Sequence, residues 1–353
     1  LALIAVLPEY AVDLYFAWTA AYIPENAAYA AANMTGGNRL LIGVGWPLVI
    51  VLFWLRGRRK QKTLHLERTH RVELLFLVLA TGYSFFIPFK GSIAIWDAVI
   101  LVGLFGLYLW AASRTPHQEP ELVGPALTLA TLPVAWRRLA TVFLFVFSGA
   151  VILLAAEPFA EGLVSTGETL GVSKFLLVQW IAPLASESPE VVVVILYVLN
   201  GRAGAGMGTL ISSKVNQWTL LVGTLPIVYS VSFGAVTGLP LDGRQIEEIF
   251  LTSAQSAFAV AILANLIISV KEAVALFVLF ILQLVIPIPE VRWGIAFLYI
   301  ALTGLVLVFD RKSRLGFIGL ATFGKGLVWH PRSAGARGSG GRLESGPRED
   351  AER

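Results

Sequence analysis

Two Pro-Glu pairs set inside apolar runs are the residues of this chain best placed to do chemistry. They are Pro8-Glu9 in "LIAVLPEYAV" and Pro189-Glu190 in "APLASESPEVVVV". A proline inside a helix removes one backbone donor and frees a carbonyl. Within a membrane this is tolerated where the freed groups line a cavity or find partners. A carboxylate beside it costs about 2.5 to 3.5 kcal/mol on insertion scales and needs a reason to be there. A hard cation supplies one: freed carbonyls, hydroxyls, amides and carboxylates form an all-oxygen shell suited to sodium or calcium rather than to zinc or copper. The plainer alternative is a kink whose glutamate hydrogen-bonds to a neighbouring helix.

The pairs belong to a longer pattern. "NMTGGNRLLIGVGWP" follows the first and ends at Pro47, and "SSKVNQWTLLVGTLP" follows the second and ends at Pro226. Farther on, "IWDAVILVGLFG" aligns with "VKEAVALFVLFI", Asp97 over Glu272. The offsets are 181, 179 and 175 residues, near enough to constant to predict duplicated halves.

The elements that must position these residues are helices in a bilayer. Of the 353 residues 56% are hydrophobic and 14% charged, with a mean hydropathy of +0.74, against about 25% charged in a soluble domain. Membrane lipid is therefore the first expected partner, and nothing points to nucleic acid. Apolar runs long enough to cross as helices recur at about 1–22, 34–55, 72–88, 93–112, 139–158, 173–199, 207–232, 250–269, 272–287 and 291–309. The expected fold class is all-α, a polytopic membrane protein of about ten transmembrane helices.

Basic residues cluster in alternate connections: "RGRRKQKTLHLERTHR" at 56–71, then Arg114, Arg137, Arg138, Arg202, Lys271 and the tail from Arg311. The other connections hold only Lys90 and Arg244 as cations. The positive-inside rule puts the first set and the C-terminus in the cytoplasm of a plasma (inner) membrane. Five spans separate the Pro-Glu pairs, an odd step, so equivalent helices cross in opposite directions. Inverted-topology repeats with broken helices meeting at mid-membrane are an architecture of secondary transporters. The expected division is a first repeat at 1–112, a cytoplasmic linker at 113–138, a second repeat at 139–288, an additional span at 289–310 and a basic, disordered tail at 311–353. The second half has a span before its Pro-Glu helix and the first half has none, so the first helix of the first repeat is expected to be missing.

With no cysteine, disulfides and thiolate metal sites are excluded. His65, His70, His117 and His330 fall in hydrophilic connections, where solvated surface residues are expected. No nucleophile–base pair or metal-ligand cluster lies within the spans, so an enzyme is not expected, and no cofactor beyond transported cations. The run "GRAGAGMG" (201–208) has no Lys-Ser/Thr in the register of a phosphate loop and is read as tight helix packing.

The residues resemble the cation/calcium antiporter superfamily, which contains the sodium/calcium exchangers. Its inverted repeats each carry a Gly-Thr-Ser-x-Pro-Glu helix followed by a Gly-Ser-Asn-x-x-(Asn/Asp) helix. "ASESPE" (185–190) and the weaker "AVLPE" (5–9) are similar to the first motif; "SSKVNQWTLLVG" (212–223) and "NMTGGNRLLIGVG" (33–45) are similar to the second. The resemblance covers about residues 1–290. It implies a secondary active cation antiporter working by alternating access on sodium, calcium or protons, with Glu9 and Glu190 as the central acidic ligands of the metal ion. Asn38 and Gln217 would stand at the Asn/Asp positions, and Ser186 and Ser213 would help complete the shell. A cation channel or ion-sensing protein using the same carboxylates is the alternative.

Departures from the pattern matter as much. Ala5 and Val6 stand for a hydroxyl pair, Glu187 replaces serine, and Lys214 replaces asparagine. Three readings of Lys214 stay open: an internal cation occupying the place of one transported ion, a structural partner of Glu187, or a side chain that snorkels to the interface. Asp13, one turn after Glu9 on the same face, is an auxiliary carboxylate or faces a vestibule. Asn216 adds a further polar group beside Lys214. Gln255 and Asn265 are read as interhelical glue, and Asp97 and Glu272 as helix N-terminal carboxylates.

Overall fold

The computed structural model describes residues 6–114, 125–286 and 288–328. Helix α1 (Leu7–Thr19) starts at the first Pro-Glu pair, where the fixed φ and missing donor of proline suit the first turn. Helix α2 runs over Glu25–Arg56 with a π-helical turn at Leu41–Gly45. Helices α3 (Arg71–Ser84) and α4 (Ile95–Ala112) complete the first half. After a short helical piece at Pro125–Ala130 come α5 (Val134–Leu170), α6 (Lys174–Ser186) and α7 (Ser188–Leu199). Helix α8 runs from Ala203–Asn216 through a π-helical turn, Gln217–Leu221, into Val222–Phe233. Helices α9 (Gly243–Leu263), α10 (Val270–Val285), α11 (Pro289–Phe309) and α12 (Arg311–Val328) follow.

The protein is an all-α polytopic membrane protein. Each of the ten expected positions carries a helix. Six helices among the described residues are long and apolar enough to cross on their own, and α6 with α7, bent by 45°, makes up to seven. The remaining positions hold short or interrupted helices: α1 has 13 residues and α10 has 16, below the roughly 20 of a full crossing.

Burial separates the helices into an inner and an outer set. The most apolar window of α9 is 83% buried and that of α2 56%, whereas that of α5 is 6% buried. Helix α5 accordingly presents Phe143, Phe147 and Leu154 outward, the composition expected toward lipid. Two short antiparallel ladders tie the halves together. Thr63–His65 pairs with Ile267–Ser269 and Ser92–Ile93 with Leu239–Pro240, so each joins a connection of the first half to one of the second.

Two expectations are corrected here. The tail is not unstructured from residue 311, because Arg311–Val328 is helical. Asp310 caps it: its carboxylate accepts the backbone N–H of Lys312 at 3.0 Å and of Ser313 at 3.3 Å. Leu320 is buried on its inner side. The Gly/Ser/Arg stretch from 333 lies outside the described residues. His70 is not solvated either. It packs against α8 at Gly208, where an added Cβ would lie 2.1 Å from its Cε1, so tight packing accounts for the glycine there. His65 lies in an exposed strand position, and His117 and His330 lie outside the described residues.

Candidate functional site

The third residue of α1 is Glu9 and the third residue of α7 is Glu190. Both sit in first turns, where unpaired backbone N–H groups favour negative charge, and both are buried. Asp13 follows one turn along α1 and is fully buried, so it faces inward and not into an open vestibule. The inner helices α2 and α8 face them. Helix α2 brings Asn33 and Asn38; α8 brings Ser213, Lys214, Asn216 and Gln217, every one buried. Glu187 stands at the break between α6 and α7.

Close packing makes this layer possible. At Gly36 an added Cβ would lie 1.8 Å from the Gln179 carbonyl oxygen of α6, and at Gly37 it would lie 2.5 Å from Glu9 Oε1. The "TGG" of α2 therefore lets the helix close on both α6 and the Glu9 carboxylate.

The polar groups partner one another, three pairs each within one part of the chain and two, Tyr10 with Asn216 and Lys214 with Asn38, between the N-terminal and C-terminal parts. Ser213 Oγ donates to Glu190 Oε2 at 2.8 Å, and Asn33 Nδ2 donates to Asp13 Oδ1 at 2.9 Å. Gln217 Nε2 donates to Glu187 Oε1. Tyr10 of α1 donates its hydroxyl to Asn216 Oδ1 of α8 at 2.7 Å. Lys214 Nζ donates to Asn38 Oδ1 at 2.6 Å and to the Asn38 carbonyl at 3.2 Å, and lies 4.6 Å from the centre of the Trp218 ring. This burial excludes the snorkelling reading of Lys214.

Glu9 finds no such donor. Both its carboxylate oxygens are buried without a hydrogen-bond partner, as are Glu190 Oε1, Asp13 Oδ2, Gln217 Oε1 and Asn33 Oδ1. The Glu9 carboxyl lies within hydrogen-bonding reach of the Glu187 carboxyl, a pair that needs a shared proton or a cation, and Asp13 and Glu190 are its further charged neighbours. Every partnerless atom on these side chains is an oxygen, and each such buried group costs about 1 to 3 kcal/mol if left unmatched. A cation or protons would match them. Among the described residues no three carboxylate or histidine side chains converge closely enough to hold one metal ion together. An ion here therefore also needs amide, hydroxyl or backbone oxygens.

Ser186 stands apart from these hydrogen bonds. Its hydroxyl donates to the Pro183 carbonyl of its own helix at 3.3 Å, and it lines a cavity of about 210 Å³ with Pro8, Val12 and Ile152. The two inner helices offer a second alignment between the N-terminal and C-terminal parts. Their π-turns begin at Leu41 and Gln217, an offset of 176 residues, which opposes Asn38 to Lys214 and not to Gln217.

A second buried polar layer escaped the sequence reading. Arg39, on α2 beside Asn38, pairs with Glu248 of α9 at 2.5 Å and lies 4.8 Å from the Trp180 ring. Arg292 of α11 binds Glu247 at 2.5 Å and Glu248 at 3.0 Å. Gln255 donates to the Arg39 carbonyl at 3.3 Å and accepts from Gln283 at 3.1 Å, as interhelical glue should. Asn265 likewise reaches Ser313 at 3.1 Å, and Asp97 and Glu272 accept backbone N–H groups at their helix starts. The signal missed was Arg39 itself, the one charge between residues 34 and 55; Glu247 and Glu248 precede the apolar run at 250–269 and so read as part of a connection.

The comparisons agree with this architecture. The family model described as sodium/calcium exchanger protein matches residues 1–114 and 140–288. The crystal structure of an H+/Ca2+ exchanger, CAX, superposes with a TM-score of 0.89 at 49% identity, covering 93% of this chain and 82% of that one. The sodium-calcium exchanger NCX_Mj soaked with 10 mM Na+ and 10 mM Sr2+ is 18% identical with a TM-score of 0.52, covering 81% and 84%; it shows the fold alone. Curated protein sequences give no match.

Proposed function

The chain belongs to the sodium/calcium exchanger protein family and is a cation antiporter, and from that premise we propose that it exchanges calcium for protons at the carboxylate layer between α1, α2, α7 and α8. The observation that carries this reading is the set of buried oxygens on Glu9, Glu190 and Gln217 that have no donor. Glu9 and Glu190 bind the ion, with Gln217 and Ser213 contributing or orienting oxygens and Asn38 held by Lys214, while Asp13, Glu187 and Asn216 shape the field around it. Ser186 comes into play only if α6 moves during transport.

Exchange follows from competition for one set of oxygens. A buried carboxylate left ionised and unpaired is costly, so it must hold a proton or a cation. A calcium ion entering on one side displaces the proton, and the proton entering on the other side displaces calcium. The likeness to an H+/Ca2+ exchanger at 49% identity favours the proton over sodium as the counter-ion. The charge asymmetry of the connections supports an inner-membrane location with a cytoplasmic C-terminus. The comparisons lend no support to a channel, and the relatives are transporters and not enzymes.

The test is a flux measurement in proteoliposomes. An imposed proton gradient should drive ⁴⁵Ca²⁺ uptake against its own gradient, and Glu190→Gln should abolish uptake while the protein still inserts. Calcium flux indifferent to pH and driven by sodium would replace the proton with sodium. Wild-type flux in both Glu9→Gln and Glu190→Gln would remove the site.

A further inference from the structure

Lys214 is a buried amine in the layer that the proposed cation must enter, and the inference below rests on that reading of the site. Among the described residues it forms no direct ion pair. Its contacts are two oxygens of one residue, at 2.6 and 3.2 Å, and an aromatic face at 4.6 Å. A side-chain amide oxygen, a backbone carbonyl and a π face together are a ligand set for a monovalent cation. Glu187, the partner in one of the three open readings of Lys214, takes its hydrogen bond from Gln217 instead.

The register of the two halves explains the arrangement. Asn38 and Lys214 each stand three residues ahead of a π-turn, and they are 176 residues apart, the same offset as the turns. They are counterparts, and they touch. Two amides meeting in this way would face each other across a gap, with oxygens free to ligate an ion from both sides. Here one half supplies the amide, and the other supplies a side chain whose charged end reaches across to it.

We propose that the Lys214 ammonium is a tethered monovalent cation that permanently fills the position made by Asn38, confining the transported ion to the side of Glu9, Glu187 and Glu190. The lysine thereby sets how many ions the protein carries. A fixed positive charge also balances part of the negative charge of the neighbouring Glu9 and Glu187 carboxylates, beside the further cation Arg39.

The experiment measures equilibrium binding of ²²Na⁺ and ⁴⁵Ca²⁺ to the full chain in detergent, for wild type, Lys214→Ser, Lys214→Arg and Glu190→Gln. Lys214→Ser opens the position and should bind one more sodium ion per chain than wild type; Lys214→Arg keeps the charge and should match wild type. An unchanged sodium count in Lys214→Ser, or a raised one in Lys214→Arg, overturns the proposal. If Lys214→Ser is recovered folded only with sodium or methylammonium present, the ion is replacing the ammonium and the proposal stands; a variant that neither ion rescues counts against it. Wild type that binds no ⁴⁵Ca²⁺, or Glu190→Gln that binds it normally, strikes the functional reading and leaves the Lys214 count to be judged on sodium alone.

Discussion

Glu9 is held by what its neighbours lack as much as by what they offer. The Cβ that Gly37 does without would sit 2.5 Å from Glu9 Oε1, inside contact distance for either a bound ion or the carboxylate. An alanine in mid-helix normally gains about 0.8 to 1.0 kcal/mol over glycine. Here the sign should reverse: Gly37→Ala should displace the Glu9 carboxylate and weaken ⁴⁵Ca²⁺ binding by at least about tenfold, about 1.4 kcal/mol. Calcium affinity equal to wild type would show that the Glu9 carboxylate can turn aside from the methyl without losing the ion. Glu9, Asp13 and Glu190 were legible in the sequence because a carboxylate in an apolar run stands out at once. Asn33 was not, since an uncharged amide at a span boundary resembles any loop residue. The partner of Lys214 was not legible either: motif letters aligned Asn38 with Gln217, and only the π-turns show that it faces Lys214.

At the scale of the helices, Arg39 fastens α2, which carries Asn38, to α9, and through Glu248 to α11. Removing one member of a buried ionic network strands the others, at about 3 to 5 kcal/mol, whereas removing partners together costs less. Arg39→Met should therefore lower the apparent melting temperature more than Arg39→Met combined with Glu248→Met. Lysine should not substitute well, because Arg39 also lies against the Trp180 ring. Additive losses across the cycle would mean that the pair is not coupled. The helices themselves were readable from apolar runs, since length and hydropathy are what a bilayer demands. Their π-turns were not, because one inserted residue leaves composition untouched. Helix α12 was missed for a related reason: its basic residues hide the buried position at Leu320, and its capping aspartate lies in the preceding turn.

At the scale of the molecule, the N-terminal and C-terminal parts of the chain share one polar layer and are joined by two short ladders. Contacts such as Tyr10 with Asn216 and Lys214 with Asn38 cross from one half to the other, so movement between the halves must change the shape of the site. That suits alternating access, in which one bundle rocks against another about a fixed site. It also makes the direction of the molecule in the membrane testable, because the two ladders mark opposite ends. Thr63–His65 lies beside the basic connection at 56–71, and Leu239–Pro240 lies in the connection that carries Val236. The positive-inside argument puts the first in the cytoplasm and the second outside. The chain has no cysteine, so single-cysteine variants need no background removal. Val236 is 86% exposed and Lys60 is exposed as well, so neither substitution disturbs packing. Val236→Cys should react with a membrane-impermeant maleimide in intact cells, and Lys60→Cys only after the membrane is permeabilised. The opposite pattern would invert the orientation proposed for the exchanger, and with it the side from which calcium first reaches Glu190.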